Sequence, residues 1–329
     1  KNKPAIVNVT AGPGAINAIN GVFGAYVDSI PMLVISGQAK RETIKGNYPG
    51  LNLRQLGDQE VDIVHMVNDV CKLSLLIQDP LSIAFEVDRA YSLATSGRPG
   101  PVWLDVPIDV QSSLLPSEFE ELVSHPILQY TCEKLPFASD DDITFLAKKI
   151  LSSRRPVLYV GSGVRISNSY QEFLHFLRQW PLATVTGWNS NDLLWDDHPS
   201  YCGRPGTVGN RAGNFAVQFS DCVITVGCRL NIRQVSFNWA SFAKHAWKCH
   251  VDIDIAELNK PTLNTDLKIC SDIKGFFPKL NSALHELNSL SHSHFYPWAK
   301  WRHWLQDNLR TFSSSSALKP HKDDGINPY

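Results

Sequence analysis

Hydrophobic positions in the first hundred residues fall in short runs rather than in one continuous helical stripe. Ile6, Val7 and Val9 form one run, Met32 to Ile35 a second and Val102 to Val106 a third, each bounded by glycine, proline or polar residues. Short runs of this kind are what strands of a parallel sheet need when both faces are covered. Between the first two, small and apolar residues at helical spacing from Ala15 to Val27 predict a helix. Val7 to Gln38 therefore reads as a right-handed strand, helix, strand crossover. Its turn, Gly12-Pro13-Gly14, falls at the carboxyl end of a strand, where open α/β sheets bind ligands. The glycines allow φ values closed to other residues, Pro13 presets the first helical turn, and free N–H groups open behind them. The same three residues would also serve as a plain strand-to-helix turn.

Ala39 to Gly57 is a polar, glycine-rich connection long enough to be expected to carry function. Pro80 to Ser96 places Leu81, Phe85, Ala90 and Leu93 at helical spacing, with Asp88 and Arg89 outward, and predicts a surface helix. Gln111 to Asp140 has no period and three prolines, as a linker would. A second alternation follows. A helix begins at the acidic run Asp140 to Asp142, and Pro156 to Val160 reads as a strand entering Gly161-Ser162-Gly163. Helices are expected over Tyr170 to Trp180 and Phe215 to Phe219, and strands over Ala183 to Thr186, Cys222 to Gly227 and His250 to Asp254. An amphipathic helix on Phe276, Leu280 and Leu284 closes the set, and Trp298, Trp301 and Trp304 form a stripe better suited to packing than to a ligand cage.

The fold class predicted is α/β, with two consecutive doubly wound, Rossmann-like parallel-sheet domains at 1–112 and 140–287. Linkers occupy 113–139 and 288–329. The chain enters a strand almost at once, so the first domain is expected to be truncated at its N-terminus. Within the second domain a lone Gly-x-Gly leaves nucleotide binding open. Asp252 and Asp254 could share one strand face as paired carboxylates, but no third ligand follows, and capping of the next helix is the favoured use.

Composition narrows the partners. A net charge of -1 over 329 residues gives no electrostatic reason to expect nucleic acid or an anionic membrane surface. No apolar stretch approaches membrane-spanning length. Seven cysteines without paired spacing read as reduced thiols, which points to a cytoplasmic or similarly reducing compartment.

Thr10-Ala11-Gly12-Pro13-Gly14-Ala15-Ile16-Asn17, Ala25 to Met32, Ile35-Ser36-Gly37-Gln38 and Gly97-Arg98-Pro99-Gly100-Pro101-Val102 together resemble thiamine diphosphate-dependent enzymes, most closely the acetolactate synthase large-subunit group. The resemblance implies that Gly12, Pro13, Gly14 and Asn17 lie by the thiamine pyrimidine, and that Gln38 and Gln59 lie towards the substrate. It matches Lys72 to a lysine after the segment Asp58 to Val64, and Arg98 to an arginine that reaches a flavin; a helix-to-strand turn is the plainer use of Arg98. The second domain resembles the family's central domain. There Gly161 and Gly163 would face a dinucleotide, Arg229 and Arg233 would flank its phosphates or flavin, and Asp252 would sit near its adenosine end. Asp58 in place of a Phe departs on the acceptor side of the pocket, while Asn231 and Ile232 in place of two acids and Pro205 in place of a His make FAD a possible rather than a required cofactor.

The reaction implied is thiamine diphosphate-dependent C–C bond formation from a 2-oxo acid such as pyruvate. The family's activating Glu is expected upstream of Lys1. Its Mg²⁺ ligands are expected in a diphosphate-binding domain that Ile326-Asn327-Pro328-Tyr329 resembles the start of, so no metal ligand or catalytic acid is assigned to this segment. The helix from Ala15 to Val27 has no charged face, and Gly21, Gly24 and Ala25 would let a second copy approach, so a homodimer or homotetramer is expected. Alternatives are a scaffolding relative that has lost thiamine, or an enzyme acting on a sugar or acyl-CoA acceptor.

Overall fold

The computed structural model describes residues 3–117, 119, 134–290 and 298–312. Two compact units divide at Lys134 and Leu135. Both are parallel sheets, as the runs predict.

In the first unit, β1 (Ala5–Val9), β2 (Met32–Gln38), β3 (Leu73–Leu76) and β4 (Pro101–Pro107) stand in the order β1-β2-β4-β3. Helix α1 (Pro13–Asp28) joins β1 to β2, and α3 (Ile83–Thr95) joins β3 to β4. The two faces of β4 show why the run is apolar throughout. Val102, Leu104 and Val106 pack with Ala90 and Ala94 of α3, while Trp103 packs with Ala15 and Val22 of α1 and with Ile63 and Val67 of α2 (Ile63–Val67). A short helix, α4 (Ile108–Gln111), follows β4 directly.

Three differences from the expected pattern stand out. Strand β3, with only Leu73-Ser74-Leu75-Leu76, is too short to carry a readable signal. Helix α3 starts at Ile83 rather than Pro80, leaving Leu81 exposed in a preceding 3-10 turn. Ala25 is buried under α1, so it cannot belong to an outer contact face; a Cβ added at Gly21 or Gly24 would meet nothing within 4 Å.

In the second unit, β5 (Pro156–Val160), β6 (Ala183–Thr186), β7 (Cys222–Val226), β8 (Trp247–Asp252) and β9 (Leu267–Cys270) stand in the order β6-β5-β7-β8-β9. Helices α5 (Asp140–Ser152), α7 (Tyr170–Gln179) and α11 (Ile273–Ser289) cover one face. Helices α8 (Arg211–Phe219) and α12 (Trp298–Thr311) cover the other, and short α6 (Gly163–Ile166), α9 (Ile232–Val235) and α10 (Ile255–Asn259) follow β5, β7 and β8. The N-cap of α5 is Ser139, whose hydroxyl accepts from Asp142 N at 3.1 Å; the acidic run supplies the first turn instead of the cap. Residues 135–139 already belong to this unit, since Ala138 N donates to Ser271 Oγ and Asp272 N to the Pro136 carbonyl. Strand β9 is an addition to the expected set, and β8 begins three residues earlier than expected. In the tryptophan stripe, Trp298 and Trp301 are buried and Trp304 stacks on Trp301 at 5.4 Å, a packing role. Of the two expected linkers, 135–139 and the α12 part of 288–329 belong to this unit instead, Trp298, Trp301 and Leu305 being buried in its core; the Ile326 to Tyr329 segment lies outside the described residues.

Candidate functional site

At the carboxyl end of β1 the chain turns through Gly12 with φ 54° and ψ -110°, a combination that essentially requires glycine. A Cβ at this position would lie 2.2 Å from the backbone oxygen of Gln59. Bare backbone at Gly12 is thus what lets the segment before α2 press against the turn. Pro13 enters the first turn of α1, and no side chain caps that helix, so its first N–H groups have no side-chain acceptor. Gly14 is crowded as well, with a Cβ position 2.7 Å from the Thr10 methyl. Pro13 and Asn17 are exposed, four residues apart on the outer side of α1.

Gln38 ends β2 with its side chain buried. Its Nε2 donates to Asp105 Oδ2 at 2.7 Å and to the Val61 carbonyl at 2.9 Å, and its Oε1 accepts from Ala39 N at 2.8 Å. Asp105 lies beside Ser36 in the β2–β4 ladder and accepts from its Oγ at 2.5 Å. Ser36 Oγ in turn accepts from Trp103 Nε1 at 2.7 Å. Burial pushes the Asp105 carboxyl up to about 6, against the pull of the hydrogen bonds from Ser36 and Gln38, and the nearby Asp62 carboxylate adds to the rise. A chain of polar contacts therefore runs from the sheet interior through Gln38 to the segment that touches Gly12.

The long connection after β2 is ordered by one carboxylate. Glu60 accepts from the backbone N–H groups of Lys45 at 2.7 Å, Leu56 at 3.0 Å and Gly57 at 3.2 Å. Arg41 anchors the start of the connection to α4 through Asp109, Nε to Oδ2 at 2.6 Å. A cleft of about 780 Å³ opens at the carboxyl ends of β1, β2 and β4, with Thr10, Ile35, Gln38, Ile83, Val106 and Gln111 in its lining. Of the site residues expected from sequence, Gln38 alone lines it.

Lys72 and Arg98 are elsewhere. Lys72 sits at the amino end of β3 and donates to the carbonyls of Leu93 and, at 2.8 Å, Ser96, which end α3. Arg98 Nε donates to Ser29 Oγ at 2.9 Å, beyond the C-terminus of α1. Both lie at the amino ends of their strands, the end of the sheet opposite the Gly12 turn.

In the second unit the strand order reverses between β5 and β7, the switch point at which such sheets bind ligands. Gly161 and Gly163 lie there, donating to the carbonyls of Val226 and Gly227 at 3.0 Å each. A Cβ at Gly161 would be 2.2 Å from Gly227 O, and one at Gly163 2.7 Å from Gly227 Cα. The two turns interlock through bare backbone. Arg229 and Arg233 follow β7 and Asp252 ends the neighbouring β8, at the same carboxyl end of the sheet. Arg229 Nε is 4.0 Å from Glu257, which also pairs with Lys260 at 2.9 Å. Asp252 Oδ1 accepts from Asp254 N at 3.0 Å, and Asp254 caps α10 through Ala256 N at 2.8 Å, the capping role favoured from sequence. Trp188 and Phe237 are 57% and 82% exposed at this edge. Beneath it, His250 is fully buried with Nε2 3.1 Å from the Cys228 carbonyl; burial and the Lys260 charge lower it to about 4, so the ring is neutral and its Nε2–H donates. Among the described residues no group of three His, Cys, Asp or Glu is placed to hold a metal, and the six described cysteines are free thiols.

Ser36, Asp105, Glu60 and His250 are buried polar residues that were not among the functional residues expected from sequence. Asp105 did leave a sign, since a carboxylate inside the run Val102 to Val106 must be buried and partnered. Glu60 left none, because its three partners are backbone groups.

Two family descriptions match the chain. Residues 1–66 match the thiamine pyrophosphate enzyme N-terminal TPP binding domain, and residues 143–280 match the thiamine pyrophosphate enzyme central domain. The acetolactate synthase large subunit of Lactococcus lactis is 34% identical over 298 residues, covering 91% of this chain and 48% of that protein. The chloroplastic acetolactate synthase of Arabidopsis thaliana is 34% identical over 287 residues, 86% of this chain and 40% of its own. A probable acetolactate synthase large subunit of Methanocaldococcus jannaschii is 32% identical over 288 residues, covering 84% and 44%. The chain thus spans somewhat less than half the length of these relatives.

Proposed function

Because the chain belongs to the thiamine pyrophosphate enzymes and carries their N-terminal and central domains, we propose that the full-length protein joins a 2-oxo acid, pyruvate or a close analogue, to a carbonyl acceptor with loss of CO₂. The observation that carries this reading is the Gly12 turn: glycine-only backbone pressed on Gln59, at a strand's carboxyl end, opening an uncapped helix. These residues fit one wall of a thiamine diphosphate site, with Pro13 and Asn17 exposed beside it. Thiamine diphosphate, when bound, supplies storage for the electron pair that decarboxylation leaves behind. The chain's own part is positional. Gly12 lets the Gln59 segment close on the turn beside the exposed Pro13 and Asn17, and Gln38 presents an amide whose orientation three hydrogen bonds define. Neither the proton-transferring Glu nor the Mg²⁺ ligands of such a site are assigned to this chain's residues.

FAD is the second cofactor proposed, at the β5–β7 edge. Its support is the interlocked Gly161 and Gly163 turns at the switch point, with Arg229 and Arg233 following β7 and the large rings of Trp188 and Phe237 exposed. The free cysteines accord with a reducing, cytoplasmic setting, and no helix among the described residues is long and apolar enough to cross a membrane. Full-length protein given pyruvate, thiamine diphosphate and Mg²⁺, with and without aldehyde, keto-sugar or acyl-CoA acceptors, tests the reading by mass spectrometry of products. CO₂ release coupled to a new C–C bond is expected. Thiamine-independent or absent turnover across that panel contradicts it, and the visible spectrum of the same preparation reports flavin.

A second copy of the chain is proposed to complete the site. The outer face of α1 is apolar and open, with Ile16 43% and Phe23 54% exposed and Gly21 and Gly24 unobstructed, and it is continuous with Pro13 and Asn17. Gly24→Arg in the full-length protein should shift the dimer to monomer in sedimentation equilibrium and lower activity at least about tenfold through loss of assembly. A variant that remains dimeric and fully active would remove α1 from the interface.

A further inference from the structure

Asp105 makes no contact expected of a catalytic group. It is fully buried and absent from the lining of the cleft, behind Ser36 and Gln38, which do line it. Its two oxygens nevertheless divide their work. Oδ1 faces Ser36, itself held by Trp103, and Oδ2 faces the Gln38 amide. Both Gln38 N–H groups are spoken for, one by Asp105 and one by the Val61 carbonyl, so the amide cannot turn over without breaking two bonds to buried or part-buried acceptors. Val61 follows, by two residues, the Gln59 whose backbone oxygen lies against Gly12. The position of Gln38 and the distance between the 59–61 segment and the glycine turn are consequently coupled through one carboxylate.

We propose that Asp105 is a positioning residue for the thiamine-dependent reaction, acting through Gln38 to fix that amide and the Gln59–Val61 segment against the Gly12 turn. This rests on the proposed function, in which Gln38 lies towards the substrate. Burying a carboxylate at the centre of a sheet is costly, and a Leu or Val there would complete the run Val102 to Val106 at no such cost. What the carboxylate offers that an apolar residue does not is two acceptors in a fixed plane, one bound to the sheet and the other to the amide. An Asn can retain that geometry, with Oδ1 accepting from Gln38 and Nδ2 donating to Ser36; a Leu of similar volume retains neither bond.

The test is a double-mutant cycle on the full-length protein, reading kcat and KM for the 2-oxo acid at pH 8, with thermal midpoints of each variant as the fold control. Asp105→Leu is expected to lower kcat by roughly 10- to 100-fold, the loss that a small misplacement of a positioned group brings. Asp105→Asn should recover most of that loss. In a Gln38→Leu background, Asp105→Leu should cost less than about threefold more, since the residue through which it acts is gone. Additive losses in the cycle, or a kcat that tracks only the folded fraction across Asn and Leu variants, would overturn the positioning role. Should Asp105→Leu fail to fold, the Asn variant combined with Ser36→Ala carries the same cycle, because it withdraws the sheet-side partner while leaving the Gln38 acceptor. Wild-type protein without thiamine-dependent turnover would instead refute the proposed function, so the two failures are separable.

Discussion

Gly12→Ala should destabilise the first unit by about 3 to 5 kcal/mol and abolish activity in the full-length protein. Two independent effects add. An alanine at φ 54°, ψ -110° is strained whatever surrounds it, and its Cβ would overlap the Gln59 oxygen at 2.2 Å, with Gln59 C at 3.1 Å. The colliding atoms are backbone, so no side chain can swing aside; relief requires moving the 59–61 segment, which Gln38 and Glu60 hold from both ends. Gly21→Ala, nine residues along the same helix with open space around it, is the internal control. It should stabilise by up to about 1 kcal/mol through helix propensity. Denaturant melts of both variants check the contrast, and equal effects would mean that Gly12 is an ordinary turn residue.

The second large effect is a pH dependence. The folded-state pKa of Asp105 is raised to about 6 from the usual 3.8, first by burial. Its contribution to stability is therefore fully present below about pH 3.8 and is lost as pH rises through 6. The difference between the two values corresponds to about 3 kcal/mol. Asp105→Asn carries no charge to desolvate, so the stability of the Asn variant relative to wild type should improve by up to that amount between pH 4 and pH 8. Denaturation midpoints of the two proteins at pH 4 and pH 8 measure it. A stability difference that is the same at both would show that the carboxylate is not held against burial.

How much of this was legible in the chain depends on how far apart the interacting groups lie. The Gly12-Pro13-Gly14 turn, the runs on either side and the β5 to β7 framework could be read because strand, turn and helix signals are local. Strand β3 could not, since Leu73 to Leu76 is too short to show a period and is fixed by pairing with β4. Helix α2 owes its start to Asp62, which accepts from His65 N at 3.1 Å, a cap obscured by the surrounding acids in Asp58 to Asp62. The Ser36, Gln38 and Asp105 contacts join residues 67 to 69 positions apart, and no spacing rule connects them. Lys72 and Arg98, matched by resemblance to a substrate-side lysine and a flavin-side arginine, lie at the amino ends of β3 and β4, where both meet helix C-termini.

The location of the thiamine wall is the claim on which the rest depends, and hydrogen–deuterium exchange of the full-length protein, with and without thiamine diphosphate and Mg²⁺, addresses it directly. Ligand should slow exchange in peptides spanning residues 10–17 and 57–62, and leave those around Lys72 and Arg98 at the amino end of the strands unchanged. Protection that spares residues 10–17, despite demonstrable binding, would contradict the assignment of the Gly12 turn.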